Sequence, residues 1–391
     1  MRDAAHNSGE PARDVVFMVL AGMALLALVM AAAALPSLYS PPAGAAPGTV
    51  FAPDYLAFWA GGSLGLDHQA PAAYDAAALA ARQTLGFGAA PGFLPFLNPP
   101  PFLLLTAPLA VLAPMESHYA FAVLSLLIYG FAAWRIFPDK RAAAAALAFP
   151  AVFFCLPVGQ TGLLTAGILG LFTVLLGPQP FIAGLVAGTL VIKPQLAVLV
   201  PFVLMVSGNR WAFAGAAVSA LGLCLLASAA FGFDVWPAFF AMLADYQGKA
   251  SSLTHYLSRM QTAYGLAVFC GASAGVAALI QAAVSAPAFI GVLVIWKRPF
   301  SRELKYAALI AGTVLVTPYF LVYEFPIMAM AGLWLWRAGV GLDRTLIVLF
   351  AAAFLGLFVV HAPVYGVLMG LAVVVIVWRA RREQAAFGER V

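Results

Sequence analysis

The sequence predicts an all-α polytopic membrane protein, and two observations carry that expectation. Of 391 residues, 64% are hydrophobic and 9% charged, where an ordinary soluble domain carries about 25% charged residues. A helix needs about 20 mainly apolar residues to cross a bilayer, so about twelve crossings would use about 240 positions, near the apolar share. This composition excludes a cytosolic enzyme, a secreted disulfide scaffold and a nucleic-acid-binding domain. The net charge of +5 then bears on membrane orientation rather than on an anionic partner. Cys155, Cys224 and Cys270 stand singly in apolar runs, giving neither a disulfide framework nor a metal-binding spacing.

Taken in order, the first apolar run, Val15 to Leu35, is too long for a signal-peptide core and lacks a clear cleavage site before Pro36, so it is expected to be a retained first helix. Further spans are expected at Tyr119–Phe137, Ala142–Leu156, Thr161–Leu176, Phe181–Ile192, Leu196–Val206 and Trp211–Phe231. After a polar interval come Ser273–Trp296, Tyr306–Val316, Phe325–Trp336, Thr345–Val360 and Val364–Trp378. The segment Pro99 to Ala113 is apolar but short and broken at Pro108, which fits a re-entrant or tilted piece buried in protein. The chain as a whole, 1–391, is expected to be one integral membrane domain.

Basic residues set the sidedness, because segments rich in Lys and Arg stay cytoplasmic. With both termini inside, the twelve spans leave Arg82, Lys193, Lys249 and Arg259 outside, and the other sixteen of the twenty basic residues inside. This places a multi-pass protein in the inner (plasma) membrane. Two long polar intervals, 36–98 and 232–272, then form outer loops of a length that is unusual unless functional. Within the first, Tyr55–Leu66 and Tyr74–Leu85 have the texture of amphipathic helices lying on the membrane surface.

Ionisable groups near a membrane are costly without a partner or water, so they mark candidate sites. Asp54 opens the stretch Asp54-Tyr55-Leu56-Ala57-Phe58-Trp59. It is either a helix N-cap or a general base whose pKa is raised by aromatic neighbours. Lys193, in Ile192-Lys193-Pro194-Gln195, either snorkels to the interface or, fixed at a proline break, binds phosphate. Gln160, in the turn Gly159-Gln160-Thr161-Gly162, is either part of a tight turn or an amide aimed into the same cavity. In the second outer loop Asp234, Asp245 and Lys249 read as a solvated face, whereas His255 and Arg259, four apart, share a helix face. They are the better donors for a leaving phosphate. Tyr319, Tyr323 and Glu324 offer the aromatic face and acceptor that a sugar needs, although interfacial aromatics also serve as membrane anchors. No Gly-rich phosphate loop, His-Glu-x-x-His or serine nucleophile elbow occurs, so no cofactor is expected and no metal-ligand residues are assigned, a divalent metal requirement staying open.

These pieces in this order resemble glycosyltransferase family 87, polytopic enzymes of the GT-C class that include mannosyltransferases using polyprenyl-phosphate-mannose. The resemblance rests on Asp54-Tyr55-Leu56-Ala57-Phe58-Trp59, Tyr74-Asp75, Asn98-Pro99-Pro100-Pro101 with Ala107-Pro108-Leu109, Gly159-Gln160, Ile192-Lys193-Pro194-Gln195, and Thr317-Pro318-Tyr319 with Tyr323-Glu324. It departs at Asn98, where an aromatic is usual, and at Glu324, where the family has Asp. It implies a GT-C-type bundle of about 12 transmembrane helices with Asp54 as catalytic base. The implied donor is a polyprenyl-phosphate hexose, the acceptor a glycolipid or glycan on the extracytoplasmic face, and the displacement inverting. Lys193, His255 and Arg259 would bind the donor phosphate, and Tyr55, Tyr74, Gln160, Gln195, Tyr319, Tyr323 and Glu324 the sugar or acceptor. A transporter or flippase for a lipid-linked or small polar solute is the competing expectation, but such proteins place ionisable groups near the bilayer midplane, often in paired repeats. Here the polar groups cluster in the loops. A membrane scaffold, with Asp54 as a mere cap, is the third.

Overall fold

The computed structural model describes residues 53–87, 93–248 and 260–338, and every regular element within them is helical. The helices are α1 (Pro53–Leu66), α2 (Ala76–Phe87), α3 (Leu103–Leu109), α4 (Pro114–Ile136), α5 (Lys140–Leu147), α6 (Pro150–Val158), α7 (Gly162–Leu175), α8 (Pro180–Gly188) and α9 (Leu199–Val206). They continue with α10 (Arg210–Phe231), α11 (Val235–Gly248), α12 (Ala263–Phe269), α13 (Ala274–Lys297), α14 (Arg302–Val316) and α15 (Pro326–Ala338). Short 3-10 turns at Thr189–Ile192, Pro194–Leu196 and Val322–Glu324 interrupt the path.

Local chemistry explains where these helices start. Proline occupies the first turn of α4, α6 and α8, where its missing N–H costs nothing. Side chains of Asp139, Asn209, Thr262, Ser273 and Ser301 accept bonds from the first free amides of α5, α10, α12, α13 and α14. Glycines set the closest approaches. A Cβ on Gly184 of α8 would lie 2.0 Å from the Ala212 carbonyl oxygen, and one on Gly215 of α10 would lie 2.2 Å from that of Phe181. This small-residue seam lets two backbones touch.

The expected bundle of about 12 crossings is overturned. Among the described residues three helices, α4, α10 and α13, are long and apolar enough to cross a membrane. The pair α5 and α6, bent by 51°, makes a fourth if counted as one span. The reason is that hydropathy counts apolar residues without seeing where the helix breaks. Phe181–Ile192 and Leu196–Val206 are apolar throughout, yet they fold as α8 of nine residues, two 3-10 turns and α9 of eight. At 1.5 Å per residue, α8 and α9 reach about 12–14 Å each, under half of a ~30 Å hydrocarbon core. Pro100–Leu109 is likewise a short apolar helix, packed on α1 where Gly62 meets Thr106. The runs 15–35, 345–360 and 364–378 lie outside the described residues.

One of the two expected surface helices is also corrected. Helices form at Pro53–Leu66 and Ala76–Phe87, but Tyr55, Leu56, Phe58 and Ala60 are buried, so α1 is a core helix rather than a surface one. Its aromatics meet Phe96, Phe102 and Phe121 edge-on or tilted. The long helices are the reverse: α4 exposes Tyr119 and Leu127, α10 Leu221 and Leu225, and α13 Leu279 and Ile290. Such apolar faces belong in lipid. The protein is membrane-embedded and spans it more than once.

Candidate functional site

Asp54 stands in the first turn of α1, one residue past Pro53, rather than at the cap position. Its carboxylate instead makes a bond across 106 residues of sequence: the Gln160 side-chain amide donates to Asp54 Oδ2 at 3.1 Å. Gln160 follows the end of α6, where Gly159 adopts a left-handed φ of 70°. A Cβ there would lie 2.6 Å from Tyr55 Cβ and 2.8 Å from His118 Nε2, so both conformation and space require glycine. The Gln160 amide oxygen accepts from the Thr161 backbone N–H at 3.3 Å, which fixes the amide with its NH₂ towards Asp54.

The chain of contacts continues inward. Lys193, set between two 3-10 turns with φ −149° and ψ 69°, donates from Nζ to Thr161 Oγ1 at 2.8 Å. It also pairs with the Glu324 carboxylate and lies 5.2 Å from the centre of the Tyr323 ring. Both charges are buried, at 7% and 2% side-chain exposure, which only mutual pairing makes tolerable. Gly162 permits this meeting, because its position lies 1.8 Å from the Tyr323 carbonyl oxygen once a Cβ is added. Asp54, Gln160, Thr161, Lys193, Tyr323 and Glu324 therefore form one continuous polar line between the start of α1 and the start of α15.

The electrostatics favour a proton acceptor. Asp54 is half-buried, and removal from water raises its pKa from 3.8 to about 6, against the opposing Gln160 bond and the Lys193 charge. A carboxyl so placed is ionised at neutral pH and still basic enough to accept a proton.

The remaining expected site residues are distributed unevenly. Tyr55 is fully buried beside Asp54, and its hydroxyl shares a hydrogen bond with Ser117. Tyr74 donates to the Asn98 carbonyl at 3.0 Å, and the Asn98 amide donates to the Ile192 carbonyl at 3.2 Å. Thus Asn98, the position that departs from the usual aromatic, ties Tyr74 to the residue before Lys193. Tyr319 is half-buried in a loop held by Thr262, whose hydroxyl donates to the Pro318 carbonyl, and by the Gln261 backbone N–H, which donates to the Phe320 carbonyl. Gln195 is half-buried in the turn after Lys193. His255 and Arg259 lie outside the described residues. Among the described residues no three His, Cys, Asp or Glu side chains gather as a metal-binding group.

Three partners were not singled out from the sequence: Thr161, Ser117 and His118. Thr161 sat inside a quoted turn, but its link to Lys193 spans 32 residues, which local spacing cannot reveal. His118 had a usable signal, an ionisable group at the end of an apolar run.

A model of glycosyltransferase family 87 matches residues 96–322, more than half of the chain. The chain belongs to glycosyltransferase family 87. It is a membrane glycosyltransferase, and its family carries the general expectation of a lipid-linked sugar donor. No match was found among curated proteins or among solved structures. The family 87 segment contains Gln160, Thr161 and Lys193. Asp54 and Glu324 flank it and are joined to it by the bonds just described.

Proposed function

We propose that the protein transfers a hexose, mannose-like, from a polyprenyl-phosphate donor to a hydroxyl of a glycolipid or glycan, with Asp54 as general base. The observation that carries this is the half-buried Asp54 carboxylate, held by Gln160 and raised to about 6. Asp54 takes the acceptor hydroxyl's proton as that oxygen bonds to the anomeric carbon. The bond from that carbon to the phosphate oxygen breaks, and polyprenyl phosphate leaves with the electron pair. One displacement inverts the anomeric configuration.

The leaving phosphate gains negative charge, so cations near it lower the barrier. Lys193 supplies one such charge, with Glu324 and Thr161 fixing its position; His255 and Arg259 would add others. Tyr55, Tyr74, Gln195, Tyr319 and Tyr323 frame the sugar or acceptor. A lipid phosphate leaving group needs no nucleotide-binding fold, and the sequence carries no Gly-rich phosphate loop.

Charge distribution supports an extracytoplasmic site. Along α4, Ser117 and His118 stand at the Asp54 end and Arg135 at the other. At that far end Arg337 of α15 donates to the Ile136 carbonyl at 2.6 Å, and Glu303 of α14 bonds to Arg302. The basic end belongs in the cytoplasm, which leaves Asp54 on the opposite face.

The test is Asp54→Asn, an isosteric change that cannot accept the proton. Transfer should fall by about 10²- to 10⁴-fold while donor binding persists; near-normal transfer would remove Asp54 from the reaction.

A further inference from the structure

We infer that His118, near the start of α4, is a positioning residue for Asp54, acting through Tyr55 on one side and through the Gln160 turn on the other. This rests on the assignment of Asp54 as base. The imidazole stacks on the Tyr55 ring, with centroids 4.9 Å apart and planes 20° apart. Tyr55 follows Asp54 directly, and its hydroxyl is tied to Ser117, the neighbour of His118. On its other side His118 Nε2 lies 2.9 Å from the Leu156 carbonyl oxygen. A carbonyl only accepts, so Nε2 carries the proton and donates.

Leu156 belongs to the last turn of α6, and its carbonyl accepts both the Gly159 backbone N–H that caps the helix, at 3.2 Å, and the His118 donor, so the histidine ties the capped end of α6 to α4. The next residues are Gly159, pressed against both Tyr55 and His118, and Gln160, whose amide reaches Asp54. The ring is closed: Asp54, Tyr55, His118, the end of α6, Gln160 and Asp54 again. Remove the donor at Nε2, and the turn that presents Gln160 loses its tie to α4.

The ring has a cost that a purely space-filling residue would avoid. With the proton on Nε2, Nδ1 is a buried acceptor that finds no hydrogen-bond partner among the described residues. A buried unpaired acceptor is unfavourable. Phenylalanine would give the same stack without it; what only the histidine supplies is the donor to Leu156.

The experiment titrates Asp54 directly, independently of any sugar donor. The purified full-length protein is treated with a carbodiimide, which modifies protonated carboxyls, across a pH series, and modification of residue 54 is read by mass spectrometry. The charged groups facing Asp54 are the Lys193 ammonium with its Glu324 partner, and these stay unchanged in every variant. The Gln160 bond favours ionised Asp54, so weakening it shifts the titration to higher pH. His118→Asn, whose amide stands in for Nδ1 and does not reach Leu156, should shift it upward. His118→Gln, whose amide stands in for Nε2, should bring it back most of the way. If His118→Asn does not fold, His118→Phe carries the same test, keeping the stack and dropping the donor.

With polyprenyl-phosphate-mannose as donor, His118→Asn should lose about 10²-fold in kcat at unchanged donor KM, the scale of a misplaced catalytic group; His118→Gln should recover most of it. Equal Asp54 titration in all variants would overturn the proposal. Near-normal turnover of Asp54→Asn would instead overturn the base assignment, and the titration would still decide the role of His118.

Discussion

At Asp54 two demands on one side chain conflict. Burial disfavours its charge, while the proposed role as general base needs that charge at neutral pH. A pKa near 6 reconciles them: kcat/KM should fall as pH drops through about 6, two units above where a solvated aspartate would lose activity. A limb near 4 in the pH profile would show an unperturbed carboxylate. The stability effect has the opposite sense. A folded-state pKa raised above the unfolded value contributes stability that is present below 3.8 and lost as pH rises through about 6. Asp54→Asn should therefore unfold at no lower temperature than the unmodified protein at pH 7.5, a comparison that separates lost chemistry from lost folding. The Lys193–Glu324 pair behaves differently. Removing one partner strands a buried charge, at a cost of about 3–5 kcal/mol. Lys193→Met and Glu324→Gln should each lower the melting temperature sharply, and the double variant should be less destabilised than the two losses added. Simple additivity would mean that the pair does not interact.

The helices show which parts of the site sequence patterns can reach. Gly159-Gln160 and Ile192-Lys193-Pro194 were visible because a glycine turn and a proline break mark helix ends, which is where the candidate site residues lie. That Lys193 faces Glu324, 131 residues away, was not visible, since hydropathy holds no information on which turns meet. The same blindness produced the excess of crossings: Phe181–Val206 is apolar enough for two spans but is interrupted by the 3-10 turns Thr189–Ile192 and Pro194–Leu196, with the non-helical Lys193 between them. Small residues decide how those pieces pack, and two glycines of this region differ sharply. Gly184→Ala drives a methyl group into the Ala212 carbonyl and should lower the melting temperature. Gly222→Ala, on an exposed stretch of α10 with nothing within 4 Å, should leave it unchanged or raise it by gaining up to about 1 kcal/mol of helix preference. Equal effects would mean that α8 and α10 are not in backbone contact.

Across the whole molecule, two groups of charge among the described residues lie at opposite ends of α4. One end holds Arg135, Arg302 and Arg337 around Glu303 and Ile136; the other holds the polar line from Asp54 to Glu324. With the native cysteines replaced, Glu116→Cys should react with an impermeant maleimide on intact cells, and Lys140→Cys only after permeabilisation. The reverse pattern would place the site in the cytoplasm. Orientation, however, is secondary to chemistry. The direct measurement is incubation of the purified protein with a panel of polyprenyl-phosphate sugars and an acceptor extract, following donor and product by mass spectrometry. The account predicts that a hexose donor is consumed, with polyprenyl phosphate and a glycosylated acceptor formed in step, and that Asp54→Asn forms both about 10²- to 10⁴-fold more slowly. Consumption of no donor, or equal turnover by Asp54→Asn, would contradict it.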